Sequence, residues 1–500
     1  MSGPLEPVSA VSEPCQIQRF IKKANEQYAL SLDSDQALHE WSLNSPSEFW
    51  ALVWEFAQVT AAQQGSIALA PDAESLQKRW FPQAKFNLAE NLLRFQDDRP
   101  ALFFSRAGRV QQLSHAELYK KVAQLALAME KKGIGPGDRI ASLLPNTEQA
   151  VICFLATASL GAIWIPYTSR LTCRQQLTLL KQAQPRLIFA SLADTQVTLN
   201  QLVDLTEHLA LEALVFADDF NPVEPLDLPQ LVHWNDFVHS QAGEISFAQL
   251  PFGQPLYLRP VEDAEGQLRL LVQGAGGTFI QSLCQQQLHL NLQAGDHLML
   301  ANEDPNLLDW QMMALAYGAT LVLCPASLTQ VDQADFWSLV EAAKVTCLGL
   351  TSAQLNQLTQ LQAKPKNQQD LSSLTQLICL DGPLTSEAWE AALTHLQPEL
   401  RPAVMRLHPD SLCSYALSNP LSPIWAGQLP CTSLGLALEV RQDTGEVLIN
   451  APFPAQPIGF WEDLRGTTYQ ATYHPDREAA WLSGFRAETT EQGGLTYLAD

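Results

Sequence analysis

Basic side chains are scarce in this 500-residue chain: 30 lysines and arginines stand against 53 aspartates and glutamates, a formal net charge of −23. Binding to a phosphate backbone needs a basic footprint, so a nucleic-acid partner is not expected. Paired cysteines are missing too. The nine cysteines, at 15, 153, 173, 284, 324, 347, 379, 413 and 431, are scattered singly with no C-x-x-C pair, and an odd number makes a poor disulfide framework. They read as reduced thiols in a cytoplasmic protein. No charged-then-apolar leader opens the chain, because MSGPLEPVSAVSEP is polar. There is also no unbroken apolar run of bilayer length. The nearest, Ala150 to Tyr167, is interrupted by Thr157, Ser159 and Gly161. It reads as a buried helix N-capped by Asn146 and stopped at Gly161, then a buried strand, so no membrane partner is expected.

What is present is a globular composition, 46% hydrophobic and 17% charged, in a chain long enough for two or more structural units. Ser45 and Glu48 have the spacing of a capping box, with Pro46 at the first helical position and Phe49, Leu52, Val53 and Phe56 on one face. Residues 1–97 therefore read as a helical cap. From Ser114, whose box partner is Glu117, helices alternate with short apolar runs such as RIASLLP, AIWIPY and RLIFAS. That alternation predicts a mainly parallel sheet covered on both faces, over about 98–250. A Gly- and Pro-bearing connection leads to a second such block, 251–405. Residues 406–500 form a β-rich unit, with a hairpin around Asp443-Thr444-Gly445. The fold class is thus α/β, two mainly parallel sheets plus a small β-rich unit.

Several familiar chemistries are missing. Gly274, Gly276 and Gly277 follow a strand and open a helix, but the last glycine of a dinucleotide fingerprint is Phe279, so a plain strand–helix turn is favoured. His289, His297, His408 and Asp410 lack metal-ligand spacing, so no metal site is expected. No G-x-S-x-G elbow supports a hydrolase.

A longer constellation is more specific. The stretches WFPQAKFNLAENLLRF (80–95) and GDRIASLLPNTEQAVICFLATASLGAIW (137–164) are followed in order by PLYL (255–258), HLNLQAGD (289–296) and YGATLVL (317–323). SNPLSPIWAGQLPCTSLGLALEV (418–440) and PFPAQPIGFWEDLRGTTYQATY (452–473) complete the series. Together they resemble the acetoacetyl-CoA and acetyl-CoA synthetases of the adenylate-forming superfamily, over nearly the whole chain. The resemblance implies a large domain of two α/β subdomains and a small β-barrel. It also implies an activity that joins a carboxylate to ATP as an acyl-adenylate and passes the acyl group to coenzyme A, with Mg²⁺ in attendance.

The site residues depart from that pattern. In the family the segment after PLY is Y-S-S-G-T-T-G-L-P-K, which wraps the ATP phosphates. Laid on this chain, its serines become Val261 and Glu262, its first glycine Asp263 and its threonines Ala264 and Glu265; Gly266 survives, and Arg269 stands for the lysine. Two unit charges about 6 Å apart repel by about 3 kcal/mol at an effective dielectric near 20, so acids facing a triphosphate oppose it. They could instead hold a metal or a cationic ligand; a solvated acidic loop is the simpler reading. The nucleotide pocket is altered as well. Pro409 replaces the α-phosphate threonine beside a retained Asp410, and Phe485 replaces the ribose-binding aspartate after Gly484. Proline brings neither hydroxyl nor N–H. Gly382 and Pro383 keep the turn that lines the adenine pocket in the family. The Trp-rich segment that shapes the acyl pocket there is not reproduced in NEDPNLLDWQMMALAYGAT. After YLAD the family continues into a mobile C-terminal domain carrying the adenylation lysine, and that domain is expected to be absent.

These departures lead to one expectation. The protein is an acyl-CoA-synthetase-like pseudoenzyme with vestigial residues 261–266, 269, 382, 383, 409, 410 and 485, no catalytic residue and no required cofactor. It would act by binding an unidentified protein partner or a small carboxylate or acyl ligand. Two alternatives stand beside it: a divergent ligase using ATP, Mg²⁺ and CoA, completed by another chain, and a scaffold whose old cavity is filled by side chains such as Phe485.

Overall fold

The computed structural model describes residues 4–5, 14–70, 79–106, 108–168, 170–192, 197–217, 230–238, 241, 243–302, 304–324, 331, 333–360, 364–430, 433–475 and 480–498. The expected alternation becomes two large sheets. The first runs, strand beside strand, Gly459–Phe460, Leu268–Gly274, Pro255–Glu262, Ile163–Ile165, Arg139–Leu143, Leu187–Ala190, Ala213–Phe216 and Leu231–His233. Its members from Pro255–Glu262 to Leu231–His233 are parallel. The second runs Ser414–Leu417, Arg401–Leu407, Gln376–Cys379, Cys347–Leu350, His297–Leu300, Thr320–Val322, Pro100–Arg106 and Arg109–Ser114. It is parallel inside and antiparallel at both ends. Leu438–Val440, Glu446–Ile449, Trp481–Thr489 and Leu495–Tyr497 form a third, antiparallel sheet. Sheet membership does not follow the expected divisions at 98, 251 and 406. Pro100–Ser114 is an edge of the second sheet, and Pro255–Gly274 belongs to the first, because pairing joins segments far apart in the chain.

Two helices are buried nearly all round, as continuous apolar sequence requires. Glu148–Ser159 lies against His115–Lys131 and Leu88–Leu92, and its Phe154 stacks on Tyr257 at 5.4 Å. Ala275–Cys284 continues into a π-helical turn, Gln285–His289, whose Gln285, Gln286 and His289 are buried but hydrogen-bonded. Among the described residues no helix is long and apolar enough to cross a membrane.

Local end signals are realised where nothing competes with them. Ser114 and Glu117 form their capping box, and Gly445 takes φ +73° in the hairpin turn. Two expectations are corrected. Ser45 makes no side-chain cap bond, because it also ends the helix Asp35–Asn44 and donates its N–H to Trp41 O at 2.9 Å. Asn146 is not the N-cap of the buried helix; Thr147 holds that position, and Asn146 Nδ2 reaches across to Asn302 O at 3.2 Å.

Candidate functional site

The residues in place of a phosphate loop form the tip of a hairpin. Val261 pairs with Arg269 and Glu262 with Leu268, and Gly266 turns the chain at φ +72°, which only glycine adopts without a Cβ penalty. Asp263 N–H donates to Gln267 O and Gly266 N–H to Asp263 O, both at 2.9 Å. The Asp263 side chain is buried, unlike the exposed Glu262 and Glu265, so the solvated loop expected from the sequence is corrected at this residue. Its Oδ1 accepts the N–H groups of Glu265 and Gln267 at 2.9 Å, and its Oδ2 accepts Arg269 Nε at 2.9 Å. Ala264 N–H donates to Thr472 Oγ1 at 3.2 Å. Every N–H from 263 to 267 is therefore spent within the chain. Burial pushes the Asp263 carboxyl upward, but the bonds from Arg269, Gln267 and Glu265 outweigh it and hold the group below its ordinary value. Asp263 does from inside part of what a bound anion would do from outside: it takes up two turn donors and the guanidinium Nε.

Thr472 leads to the remaining site residues. It lies on the helix Thr467–Tyr473, and Tyr473 Oη donates to Asp410 Oδ2 at 2.8 Å. Burial, and next the Asp410 charge, push the Tyr473 phenol far upward, so it stays a donor. Asp410 N–H donates to His408 Nδ1 at 3.2 Å, and His408 Nε2 hydrogen-bonds Ser483 O. That pattern assigns the neutral imidazole with its proton on Nε2, in keeping with the downward shift that burial imposes. The His408 ring stacks on Tyr415 at 4.7 Å and meets Trp481 edge-on at 5.5 Å. Phe485 stacks on Tyr415 at 5.9 Å and abuts Tyr497 at 5.2 Å. Its ring is thus part of an aromatic cluster, and Pro409 is exposed beside it.

Arg406 closes the circuit. Its guanidinium lies 4.0 Å over the Tyr497 ring, and Nη1 donates to Asp381 O at 3.4 Å, next to Gly382 and Pro383. The Gly382 turn is held by Asp381 Oδ1, which accepts Ser352 N–H at 2.7 Å and Ser352 Oγ at 2.8 Å. A Cβ at Gly382 would come within 2.9 Å of that hydroxyl. The structure therefore brings the sequence-nominated residues into one continuous hydrogen-bonded and stacked chain, from the hairpin tip through 472–473, 410, 408 and 485 to 406 and 382.

The glycines after Leu268–Gly274 serve packing. A Cβ at Gly276 would lie 2.3 Å from the Phe252 ring, and one at Gly277 would lie 1.8 Å from Pro454 O. Their purpose is close approach of neighbouring chain segments. Among the described residues, no group of three or more His, Cys, Asp and Glu is arranged to hold a metal ion. His289 uses both ring nitrogens, on Ser418 O at 3.2 Å and Leu434 N at 3.1 Å. Cys431 lies outside the described residues; of the other cysteines, Cys173 is exposed and the rest are buried.

Sequence reasoning missed Arg259, Asn306 and Asp309. Arg259 is buried in the strand Pro255–Glu262 and bonds Asn306 Oδ1 and Asp309 Oδ2. The signal was a single charge inside each of two otherwise apolar stretches, PLYLRP and LLDWQMM.

Comparison with known proteins agrees with the fold. The pattern of the family described as AMP-binding enzyme matches residues 88–246 and 306–404. Acetoacetyl-coenzyme A synthetase of Rhizobium meliloti (strain 1021) is 30% identical over 507 aligned residues, covering 98% of this chain and 78% of that protein. Acetoacetyl-CoA synthetase of Mus musculus is 30% identical over 517, covering 97% and 76%. Acetoacetyl-CoA synthetase from Streptomyces lividans superposes with a TM-score of 0.86 at 25% identity, covering 97% of this chain and 78% of that one. The anthranilate CoA ligase AuaEII, at 16% identity and a TM-score of 0.68 over 83% of this chain and 77% of its own, shares the fold.

Proposed function

Because the chain belongs to the AMP-binding enzyme family and is acyl-CoA-synthetase-like, we propose that it is an acetoacetyl-CoA-synthetase-like protein that no longer carries out ATP-dependent adenylation. In this reading it acts in the cytoplasm by binding a protein partner or a small carboxylate, and ATP, Mg²⁺ and CoA are not its working cofactors. One observation carries the proposal: all five N–H groups of 263–267 are engaged inside the chain, with the Asp263 carboxylate among their acceptors. A phosphate tail is stabilised by oriented backbone donors and cations, and here two of those donors and Arg269 Nε already bond a fixed negative charge, while the other three donors bond neutral oxygens of the chain. The residues present therefore do not fit a triphosphate at the hairpin. Phe485 supports the same reading, since an aromatic ring packed on Tyr415 cannot accept hydrogen bonds from ribose hydroxyls.

A second reading, a divergent ligase for a small carboxylic acid completed by another chain, draws support from the retained Asp410 and the intact Gly382 turn. ATP–pyrophosphate exchange with acetoacetate and acetate distinguishes the two, with the Streptomyces lividans enzyme run in parallel. The first reading expects no exchange above background. Exchange by the pure protein overturns it.

A further inference from the structure

Two loops beyond the carboxyl ends of first-sheet strands, and a side chain of the strand beside them, reach one segment next to the second sheet. Asn146, three residues beyond Arg139–Leu143, donates to Asn302 O at 3.2 Å. Arg170, beyond Ile163–Ile165, pairs with Asp304 at 2.9 Å. Arg259, in the adjacent strand Pro255–Glu262, bonds Asn306 and Asp309. The receiving residues, Asn302 and 304–309, follow the second-sheet strand His297–Leu300 and open the helix Pro305–Met312, whose N-cap is Asp304.

The contacts fall into two tiers. The outer pair is wet: the Arg170 side chain is 73% exposed and that of Asp304 is 19%. The inner pair is dry, with Arg259 and Asp309 side chains each 3% exposed. Around it, Tyr257 Oη and Arg259 Nε are buried without a hydrogen-bond partner, and the guanidinium lies 4.6 Å over the Tyr257 ring. Two apolar stretches, PLYLRP and LLDWQMM, each carry one charge, and those charges meet.

A buried ion pair is a weak source of stability, because desolvation offsets most of the attraction; its recognised use is to select one arrangement over others. The place is also telling. Open α/β sheets take ligands in the crevice at the carboxyl ends of their strands, and these contacts join segments beyond the carboxyl ends of Arg139–Leu143, Ile163–Ile165 and His297–Leu300. We propose that Arg259–Asp309–Asn306 and Arg170–Asp304 form a two-tier latch that fixes the first sheet against the second and holds the crevice between them closed. Anything entering there must first part the outer pair and then compete for Arg259.

The test uses the full chain, with amide hydrogen exchange read by mass spectrometry over 255–262 and 302–312 alongside thermal melting. Arg259→Met and Asp309→Leu, made singly, leave one charge buried alone. Each should accelerate exchange in both segments by about a hundredfold or more, about 2.7 kcal/mol at 1.36 kcal/mol per tenfold, and lower the melting temperature. The double variant R259M/D309L should recover the wild-type melting temperature or exceed it, while exchange over 302–312 stays fast. Recovery of both readouts would make the pair mere packing, and recovery of neither would show the two residues uncoupled; either result overturns the latch. Should the single variants fail to fold, the double variant and Arg170→Gln carry the test. R170Q changes an exposed side chain, and should speed exchange at 304–308 about threefold with no change in melting. Unchanged exchange would remove the outer tier.

Discussion

Replacing Asp263 tests the central structural claim, that an internal carboxylate occupies the hairpin's donors. Asp263→Ala removes three charge-assisted bonds at 2.9 Å, from Glu265 N–H, Gln267 N–H and Arg269 Nε. Each such bond is worth about 1.5–3 kcal/mol when the abandoned partner stays buried. Here Glu265 and Gln267 are exposed and the Arg269 side chain is 35% exposed, so water takes over the freed donors. The net local loss is then about 2 kcal/mol, well below the sum of the three. Expressed as a population, that is about 30-fold more frequent opening of the turn. Glutamyl endopeptidase reads it directly, since Glu262 and Glu265 flank the turn and cleavage under native conditions follows the open fraction. D263A should be cut about 30-fold faster than wild type. Asp263→Asn, which keeps an acceptor but loses the charge, should fall between them. The pH dependence has a definite sign. The Asp263 carboxyl is held below its ordinary 3.8, so its contribution is present above that value and is lost as pH falls through the lower, folded one. Wild-type exchange protection at the turn should persist down to about pH 4 and fade below it, and D263A should lack this loss. D263A as resistant as wild type, or D263N indistinguishable from D263A, would refute the reasoning.

Two further outcomes follow from the packing. Gly277→Ala places a Cβ 1.8 Å from Pro454 O, a backbone atom that cannot swing aside, so it should cost more than about 4 kcal/mol and abolish soluble yield; a soluble G277A with unchanged melting would contradict the close approach. His289 is pushed by burial down to about 4 and faces His39 and Asp35 besides its two backbone partners, so the folded state resists its protonation. Its contribution is present above the ordinary 6.5 and is lost as pH falls from there to about 4, up to about 3 kcal/mol. The slope of stability against pH in that window should flatten in His289→Gln.

Much of the fold was legible because its signals are local. The Ser114–Glu117 capping box, the buried run from Ala150, the Gly161 stop and the Asp443–Gly445 hairpin each depend on residues a few places apart. Ser45 shows the limit of such signals. Its spacing to Glu48 is correct, yet the preceding helix takes its backbone first. Asp263 shows the limit at the site. The sequence marked it as an anion where a phosphate cradle would lie, but not which donors it would engage.

By itself the amino-acid sequence determined the alternation of helices and strands and the Asp443–Gly445 hairpin, because periodicity and turn chemistry operate over a few residues, and it carried the resemblance that nominated residues 261–266, 269, 382, 383, 409, 410 and 485. Only the tertiary structure decided that Asp263 turns inward, that Phe485 joins the ring of Tyr415, and that Arg259 meets Asp309 fifty positions away. A side chain's charge is written in the chain, whereas its partner and its access to water are set by what the rest of the fold packs around it.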